Sequence, residues 1–379
     1  MRRLAIMALA ALLALFSGAQ ALSNALTNSH PDLAARLSPW SARAQEREAS
    51  ELVTIDEANR RPDVSAAQPL AHQALAHDLL SSEALALVAM GQDDARRRDV
   101  LLGAALGATR RGRMLNTAAM MVAVDHGDAD ALLAALNRSL LLYPSQETAM
   151  IPVLVQQLGD PRMVPGFVQL LRTAPAWAEA FYVQAAGDDA LATNMAAVRL
   201  GLPENTPVSR ESDRAVLRQL ARNGLIDEAA QVYLRVLGSA SPPPANGPLG
   251  WSTDYAPFDW QFYDQGGRFA RPASDASALV VSVRAGYGGV LARRLVRLDG
   301  NSTFFEVTHT LDPASASHVR LTLECPNSDA SWADTLGPSP TGMRVDVRLP
   351  CEYAWLSVEG RAPAGGQGIS GQLLSIAIL

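Results

Sequence analysis

The sequence contains no lysine, so all 32 of its basic residues are arginine, and the net charge at pH 7 is -6. Nucleic-acid binding normally depends on a basic stripe that neutralises phosphates, and the sequence shows no such stripe. We therefore expect no nucleic-acid partner. Charged residues make up 18% of the chain against 48% hydrophobic residues, which excludes a largely disordered chain and favours packed domains.

Motifs for catalysis, metal binding and cofactor binding are also lacking. Neither G-x-S-x-G nor H-E-x-x-H occurs, and the six histidines are scattered without the spacing of a zinc site. Residues 366–371 satisfy G-x-G-x-x-G, but the chain lacks the acidic residue that a dinucleotide site needs about 20 positions further on. A glycine-rich turn is therefore favoured there. We expect no catalytic residue, no metal and no cofactor, and a protein that is not an enzyme.

An apolar run near the N-terminus is the most informative segment. It covers residues 4–16, follows two arginines, and is followed by the small side chains of Ala19 and Ala21. This is the pattern of a secretory signal that is cleaved after Ala21. Residues 4–22 also approach the roughly 20 apolar residues that span a bilayer, so a retained anchor is the alternative. We predict that residues 1–22 are a signal peptide or signal anchor and that the remainder lies in the periplasm or cell envelope.

The chain has two cysteines, Cys325 and Cys351, both in its C-terminal part. An even pair outside the cytoplasm favours a disulfide, and alternating strand patterns turn both side chains inward. Those patterns are Val319, Leu321 and Leu323 before Cys325, and Met343, Val345, Val347 and Leu349 before Cys351. The rival interpretation is a reactive thiol with His309 or His318 as its base. We predict a Cys325–Cys351 disulfide.

Residues 67–238 show the pattern of short amphipathic helices separated by Gly, Asp and Pro, and residues 23–66 are expected to be helical or irregular. The clearest unit predicts helices over 113–125 and 129–142 with a turn at Gly127. A second unit has its turn at Asn223 and Gly224, and a third covers residues 82–106. A region of paired helices is therefore predicted.

These units resemble tetratricopeptide repeats. In the first helical pair, the small and apolar signature positions are taken by Met120, Ala123, Leu132, Leu136 and Ser139, with Pro144 after the second helix. In the second helical pair, they are taken by Leu217, Leu220, Ala229 and Tyr233. Between these units, prolines interrupt the repeat period of about 34 residues. The resemblance implies a helical repeat domain that holds a protein partner of the envelope.

A proline-rich segment at 239–250 separates this region from residues 251–379, where the period changes to that of strands. The alternating pattern predicts an antiparallel β-sandwich, and the fold class is therefore multidomain α plus β. The predicted strands cover residues 278–284, 290–298, 303–310, 319–325, 343–349, 353–359 and 372–378.

The sandwich sequence has its own resemblance. Residues 257–260 read Pro-Phe-Asp-Trp, residues 288–295 lead from Gly-Gly-Val into Ala-Arg-Arg-Leu, and a pair of strands contains the cysteines. This order resembles the C-terminal sandwich of exported sphingomonad-type tetratricopeptide-repeat proteins, whose modules look like carbohydrate-binding jelly rolls. The resemblance implies a jelly roll that contacts a polysaccharide.

Aromatic residues supply the candidate ligand contacts, because sugars stack their C–H faces on exposed rings. Trp332 lies in a polar segment, 327–334, that offers few apolar neighbours to bury it, and it is the first candidate. The alternative for this ring is that it folds back over the edge of the sandwich. Trp251 and Tyr255 are the others. The sequence thus predicts an envelope scaffold or binding protein, in which the helices bind a protein partner and the sandwich binds a surface polysaccharide or its assembly machinery. The alternatives are a protein–protein adaptor with a structural sandwich and a glycan-active enzyme without a recognised motif.

Overall fold

The structure is a computed structural model, and it describes residues 2–56, 61–109, 112–238, 246–298, 303–345 and 347–379. Helices dominate the first two thirds of the chain and antiparallel strands the last third, which confirms the predicted α plus β architecture. The helices are α1 Arg2–Leu26, α2 Pro31–Leu37, α3 Ala42–Glu51, α4 Gln68–His77, α5 Ser82–Met90, α6 Ala95–Ala108, α7 Arg113–His126, α8 Ala129–Leu142, α9 Glu147–Gln157, α10 Val164–Leu171, α11 Ala178–Ala185, α12 Ala192–Gly201, α13 Arg210–Arg222, α14 Ile226–Leu237 and α15 Pro313–Ala316. The strands are β1 Thr54–Ile55, β2 Pro62–Asp63, β3 Gly247–Pro248, β4 Gln261–Phe262, β5 Asp264–Gln265, β6 Arg268–Pro272, β7 Leu279–Val283, β8 Gly288–Arg297, β9 Phe304–His309, β10 Val319–Glu324, β11 Ser331–Thr335, β12 Thr341–Arg344, β13 Tyr353–Arg361 and β14 Ile369–Ile378.

The chain divides into two compact units, Met1–Met150 and Ile151–Leu379. This division differs from the predicted one at 239–250, because helices α10 to α14 belong to the same unit as the sandwich. Independent folding of residues 67–238 and 251–379 stays a prediction.

Helix pairs in the first unit match the sequence pattern closely. Helices α7 and α8 correspond to the predicted helices over 113–125 and 129–142, and the turn between them contains Gly127 with a φ of 64°. This left-handed conformation favours glycine, since it has no Cβ. The Asp128 side chain then accepts a hydrogen bond from the N–H of Ala131 at 2.9 Å and caps α8. The paired helices are confirmed, whereas their identity as tetratricopeptide repeats stays a prediction.

In the second unit, helices α13 and α14 meet at Gly224, which has a φ of 72°, as the sequence predicted for its second helical pair. A buried ion pair joins α12 to α13: the Nε of Arg199 lies 2.6 Å from the Oδ1 of Asp213. Each of these side chains is only 6% exposed. The position of α13 therefore depends on a charge pair that water scarcely reaches.

The C-terminal strands form two antiparallel sheets. The five-stranded sheet has the order β11–β10–β13–β8–β4, and the seven-stranded sheet has the order β12–β9–β14–β7–β6–β5, with β3 beside β14. Side chains from both sheets form one buried cluster that includes Trp260, Leu321, Phe305 and Leu356. This arrangement is the predicted antiparallel sandwich, and its identity as a jelly roll stays a prediction.

The sequence-based assignments in this region need correction. The predicted strand over 343–349 ends at Arg344, and the predicted set lacks several strands, β6 and β11 among them. Residues 239–245 of the predicted linker lie outside the described residues. The rest of that linker is partly sheet, because Gly247 and Pro248 pair with the C-terminal strand β14.

Candidate functional site

Trp332, the first predicted stacking residue, lies inside the sandwich. It occupies β11, which pairs with β10 so that Trp332 stands opposite the fully buried Leu323. Paired residues share a face of the sheet, so the indole points inward and stacks on Phe305 with 6.1 Å between ring centroids. The residue is 7% exposed. The predicted exposure of this ring is therefore wrong.

The other two predicted rings are also engaged within the protein. Trp251 is 6% exposed and packs against Trp260 at 5.3 Å between ring centroids, so its expected exposure is wrong as well. Tyr255 is half-buried and meets the ring of Tyr233 edge-on at 6.4 Å. The guanidinium of Arg210 lies 6.0 Å from the centre of the Tyr255 ring. Tyr255 therefore takes part in the contact between helices and sandwich.

The two cysteines form the predicted disulfide, Cys325–Cys351, with 5.8 Å between their Cα atoms. Neither sulfur is a free thiol, so the rival interpretation of a cysteine nucleophile is excluded in this structure. Its two candidate bases differ in their burial. The Nε2 of the buried His309 is 3.0 Å from the carbonyl oxygen of Gly337, whereas His318 is exposed.

The outer face of the five-stranded sheet brings together polar side chains from two neighbouring strands. On β10, Leu321 and Leu323 are fully buried in the core, so alternation turns Arg320 and Thr322 to the opposite face. The register then places Arg320 beside Glu359 of β13. These side chains are joined, since the Nη2 and Nε of Arg320 lie 2.6 and 2.8 Å from the Oε2 of Glu359.

A cleft of about 620 Å³ opens at one end of this face. Its lining combines the Arg320–Glu359 ion pair with further polar and basic groups on the neighbouring strand ends. The lining residues are Gly289, Ser317, His318, Val319, Arg320, Thr335, Glu359, Gly360, Arg361 and Pro363.

The charge of the cleft is positive on balance. Arg320 and Arg361 contribute two permanent cations, against the single carboxylate of Glu359 among the lining residues. Arg361 and His318 are exposed, and no ion pair joins either of them to another residue in the described part of the chain. Arg361 and His318 can therefore donate hydrogen bonds to a ligand in the cleft. The carboxylate of Glu359, which the Arg320 side chain holds in place, can accept them.

A second cluster continues the same face beyond the cleft. The guanidinium of Arg293 lies 4.5 Å from the centre of the Trp355 ring and 5.8 Å from that of Tyr263. Its Nε also donates a hydrogen bond to the Oε1 of Gln261 at 2.8 Å. Arg293 is thereby fixed between two aromatic rings, with Trp355 and Tyr263 half-buried.

Helices of the second unit cover the opposite end of this sheet. Tyr233 of α14 stacks on Phe258 at 4.5 Å between ring centroids, and Phe258 meets Tyr353 at the start of β13. Asn327, which follows β10, donates a hydrogen bond to the carbonyl oxygen of Gly224 at 3.2 Å. Burial raises the pKa of Tyr233 to about 12. The cleft lies at the other end of β10 and β13, which these contacts leave open.

Sequence reasoning missed the residues of the cleft. Neither Arg320 nor Glu359 was among the predicted site residues, and the two residues lie 39 positions apart in the sequence. One sequence feature that could have indicated these residues is the regular polar pattern on the outer positions of β10 and β13, at residues 320–324 and 355–359. A second signal was Gly289, whose φ of 132° favours glycine and whose missing side chain leaves room for that of Arg268.

Comparisons with known proteins add little to this geometry. No protein-family model matches the chain, and no curated protein matches it. Among solved structures, it is similar to a family GH115 4-O-methyl-α-glucuronidase with specificity for decorated arabinogalactans. The identity is 10%, the TM-score is 0.19, and the match covers 83% of this chain and 44% of the enzyme, less than half of that enzyme's length.

This neighbour corrects one expectation. The sequence predicted that the chain is not an enzyme, whereas one solved structure that it is similar to is a glycoside hydrolase. That prediction is overturned by this finding and is withdrawn. At a TM-score of 0.19, the likeness carries no argument for a particular fold family, substrate or reaction of this chain.

Proposed function

We propose that this chain is a periplasmic or cell-envelope binding protein whose sandwich binds a surface polysaccharide at the outer-face cleft. The observation that supports the proposal is the convergence of Arg320, Glu359, His318 and Arg361 in one open cleft of about 620 Å³. This volume falls within the usual range for small-ligand sites, about 300–1,000 Å³. The candidate site thus moves from Trp332 to the opposite face of the same sheet.

The side chains of the cleft match the chemistry of a sugar. Sugar hydroxyls both donate and accept hydrogen bonds, and arginine, glutamate and histidine side chains supply both roles. The ion pair fixes Glu359 and Arg320 before a ligand arrives, which reduces the entropy lost on binding. The half-buried Trp355 lies on the same face, four residues along β13 from Glu359, and provides an aromatic surface there. A saccharide chain that leaves the cleft along this face would meet that ring.

The positive balance of the cleft favours an acidic saccharide over a neutral one. Arginine pairs with carboxylates in two parallel hydrogen bonds, and such charge-assisted bonds are roughly twice as strong as neutral ones. Arg361 has no carboxylate partner in the described part of the chain, so it is free to take this role. We therefore propose that the preferred ligand contains carboxylate-bearing sugars.

The helical region is proposed to hold a protein partner in the envelope, as the resemblance to tetratricopeptide repeats implies. One local feature supports it: Leu79 and Leu80, between α4 and α5, are 79% and 71% exposed. Two adjacent leucines that face solvent form a small apolar patch, and such patches are favoured at protein contacts.

The cleft makes a direct prediction for glycan binding. We expect full-length protein in detergent to bind acidic oligosaccharides on an array that presents both acidic and neutral glycans. Replacement of Arg361 by alanine should weaken the strongest interaction by about tenfold or more, because a hydrogen bond between charged groups contributes about 1.5–3 kcal/mol. Calorimetric titration with the best-bound oligosaccharide measures this loss.

A matched variant separates the cleft from general surface charge. Arg344 is an exposed arginine on β12 of the other sheet, so Arg344→Ala changes the net charge equally without touching the cleft. Equal losses in the two variants would show that binding is non-specific electrostatic attraction. The absence of binding to every glycan on the array would favour the alternative, a protein–protein adaptor whose sandwich is structural.

A further inference from the structure

Helix α1 runs without interruption through the position where a signal peptidase would cut. The helix covers Arg2–Leu26, so Ala19 and Ala21 lie within it rather than in an extended segment. A peptidase reads its substrate as an extended chain, and the helix must unwind before this bond is accessible. The helix contains the one apolar window long enough to cross a membrane in the described chain, Leu9–Leu26, and only 6% of that window is buried.

Contacts on both sides of the cut tie α1 to the folded unit. The Oε1 of Gln20 accepts hydrogen bonds from the Oγ of Ser38 at 2.5 Å and from the Nε1 of Trp40 at 2.9 Å. The ring of Phe16 stacks on Trp40, with 4.8 Å between centroids and 13° between planes. Residues 16 and 20 would both be lost if the chain were cut after Ala21.

The helix remains packed beyond this position. Ser23 is fully buried, and its Oγ donates a hydrogen bond to the carbonyl oxygen of Ala34 at 2.8 Å. Leu26 packs against the small buried cluster of Ala34, Ala35 and Ala44. The end of α1 is therefore a structural part of the first unit. Cleavage would leave this end as a free N-terminus and remove the partner of the Trp40 indole.

Exposed apolar side chains surround the point where α1 joins the folded unit. Leu33 and Leu37 are one turn apart on α2 and are 44% and 36% exposed, and Trp40 is 43% exposed. A bilayer is the occupant that fits, because Trp40 contacts Phe16 on the exposed apolar stretch of α1. Tryptophan is enriched where a membrane-spanning helix leaves the hydrocarbon, since its ring is apolar and its N–H is polar.

From these contacts we infer that α1 is kept as an uncleaved membrane anchor, and that Leu33, Leu37 and Trp40 form a collar that enters the same membrane beside residues 16–20 of α1. The apolar part of α1 is long enough, since a helix rises about 1.5 Å per residue and some 20 residues span the hydrocarbon. The anchor holds the first unit directly against the membrane surface. This inference does not depend on glycan binding.

The test uses the full chain, expressed with its own N-terminus in a Gram-negative host. We expect intact-mass analysis to find residues 1–21 still attached, and the protein to stay in the membrane pellet after an alkaline carbonate wash. The Trp40→Ala variant should show a raised fraction of chain that begins at Leu22, because Phe16 loses its stacking partner and Gln20 loses one of its two hydrogen-bond donors. Wild-type chain that begins at Leu22, or full-length chain released by carbonate, would overturn the anchor.

The collar has a separate readout in liposomes made with brominated phosphatidylcholine, which quenches nearby tryptophan fluorescence. We expect the quenched part of the emission to fall in Trp40→Phe relative to the wild type. Trp177→Phe removes a tryptophan that is 1% exposed and should leave the quenched part unchanged. Equal quenching in the wild type and Trp40→Phe would contradict the collar.

Discussion

Replacement of Asp213 by alanine is expected to destabilise the second unit by about 3–5 kcal/mol, because it leaves the buried guanidinium of Arg199 without its partner. The Nε–Oδ1 distance of 2.6 Å and the 6% exposure of each side chain mean that water cannot replace the lost carboxylate. Urea unfolding followed by circular dichroism measures the loss as a lower midpoint at similar slope.

Two controls test the cause of this loss. Asp189 pairs with Arg222 at 3.1 Å, but both side chains are more than half exposed, so Asp189→Ala should cost no more than about 1 kcal/mol. The double variant Arg199→Met with Asp213→Leu removes both charges and should recover much of the stability. If Asp213→Ala and Asp189→Ala cost the same, the buried pair is not what positions α13.

Trp332→Ala is expected to cost about 3–5 kcal/mol, since it removes a large buried ring from the core of the sandwich. The indole stacks on Phe305 and stands opposite Leu323, so its loss leaves a cavity between the two sheets. For a domain of 150–250 residues, this corresponds to a fall in Tm of roughly 6–20 °C. Thermal unfolding followed by near-ultraviolet circular dichroism measures it.

Trp355→Ala is the matched variant, because Trp355 is a half-buried tryptophan on the outer face of the same sheet. We expect it to lower stability less than Trp332→Ala and to weaken glycan binding more, when both are measured below their melting temperatures. Reduced binding by folded Trp332→Ala, with unchanged stability, would mean that the ring faces solvent after all.

Local pattern was enough to predict much of this fold. The turn at Gly127 follows from its position between two amphipathic stretches, and the structure places the helix ends within a residue or two of the prediction. The disulfide followed from strand alternation, which turned Cys325 inward. Each of these inferences uses only neighbours along the chain.

The failures share a physical cause. Strand β11 lies at the edge of its sheet, where backbone hydrogen bonds to β10 hold it. Most of its side chains face solvent and are polar, and Trp332 is its one buried residue. A tryptophan among polar residues therefore looked exposed. The cleft depends on the register that places Arg320 beside Glu359, which no local pattern determines. The division at Met150 likewise reflects contacts between residues far apart in sequence, such as the stacking of Tyr233 on Phe258 and the hydrogen bond from Asn327 to Gly224.

The position of the glycan site can be measured through the histidines of the sandwich. His318 lines the cleft, whereas His309 is buried in the seven-stranded sheet against the carbonyl oxygen of Gly337. Full-length protein with labelled histidine, assigned by His318→Gln and His309→Gln, is titrated with the acidic oligosaccharide that binds best on the array. The account predicts that the ring signals of His318 shift with saturation while those of His309 stay in place. A saturable complex that leaves His318 unmoved, or no complex with any acidic glycan, would contradict it.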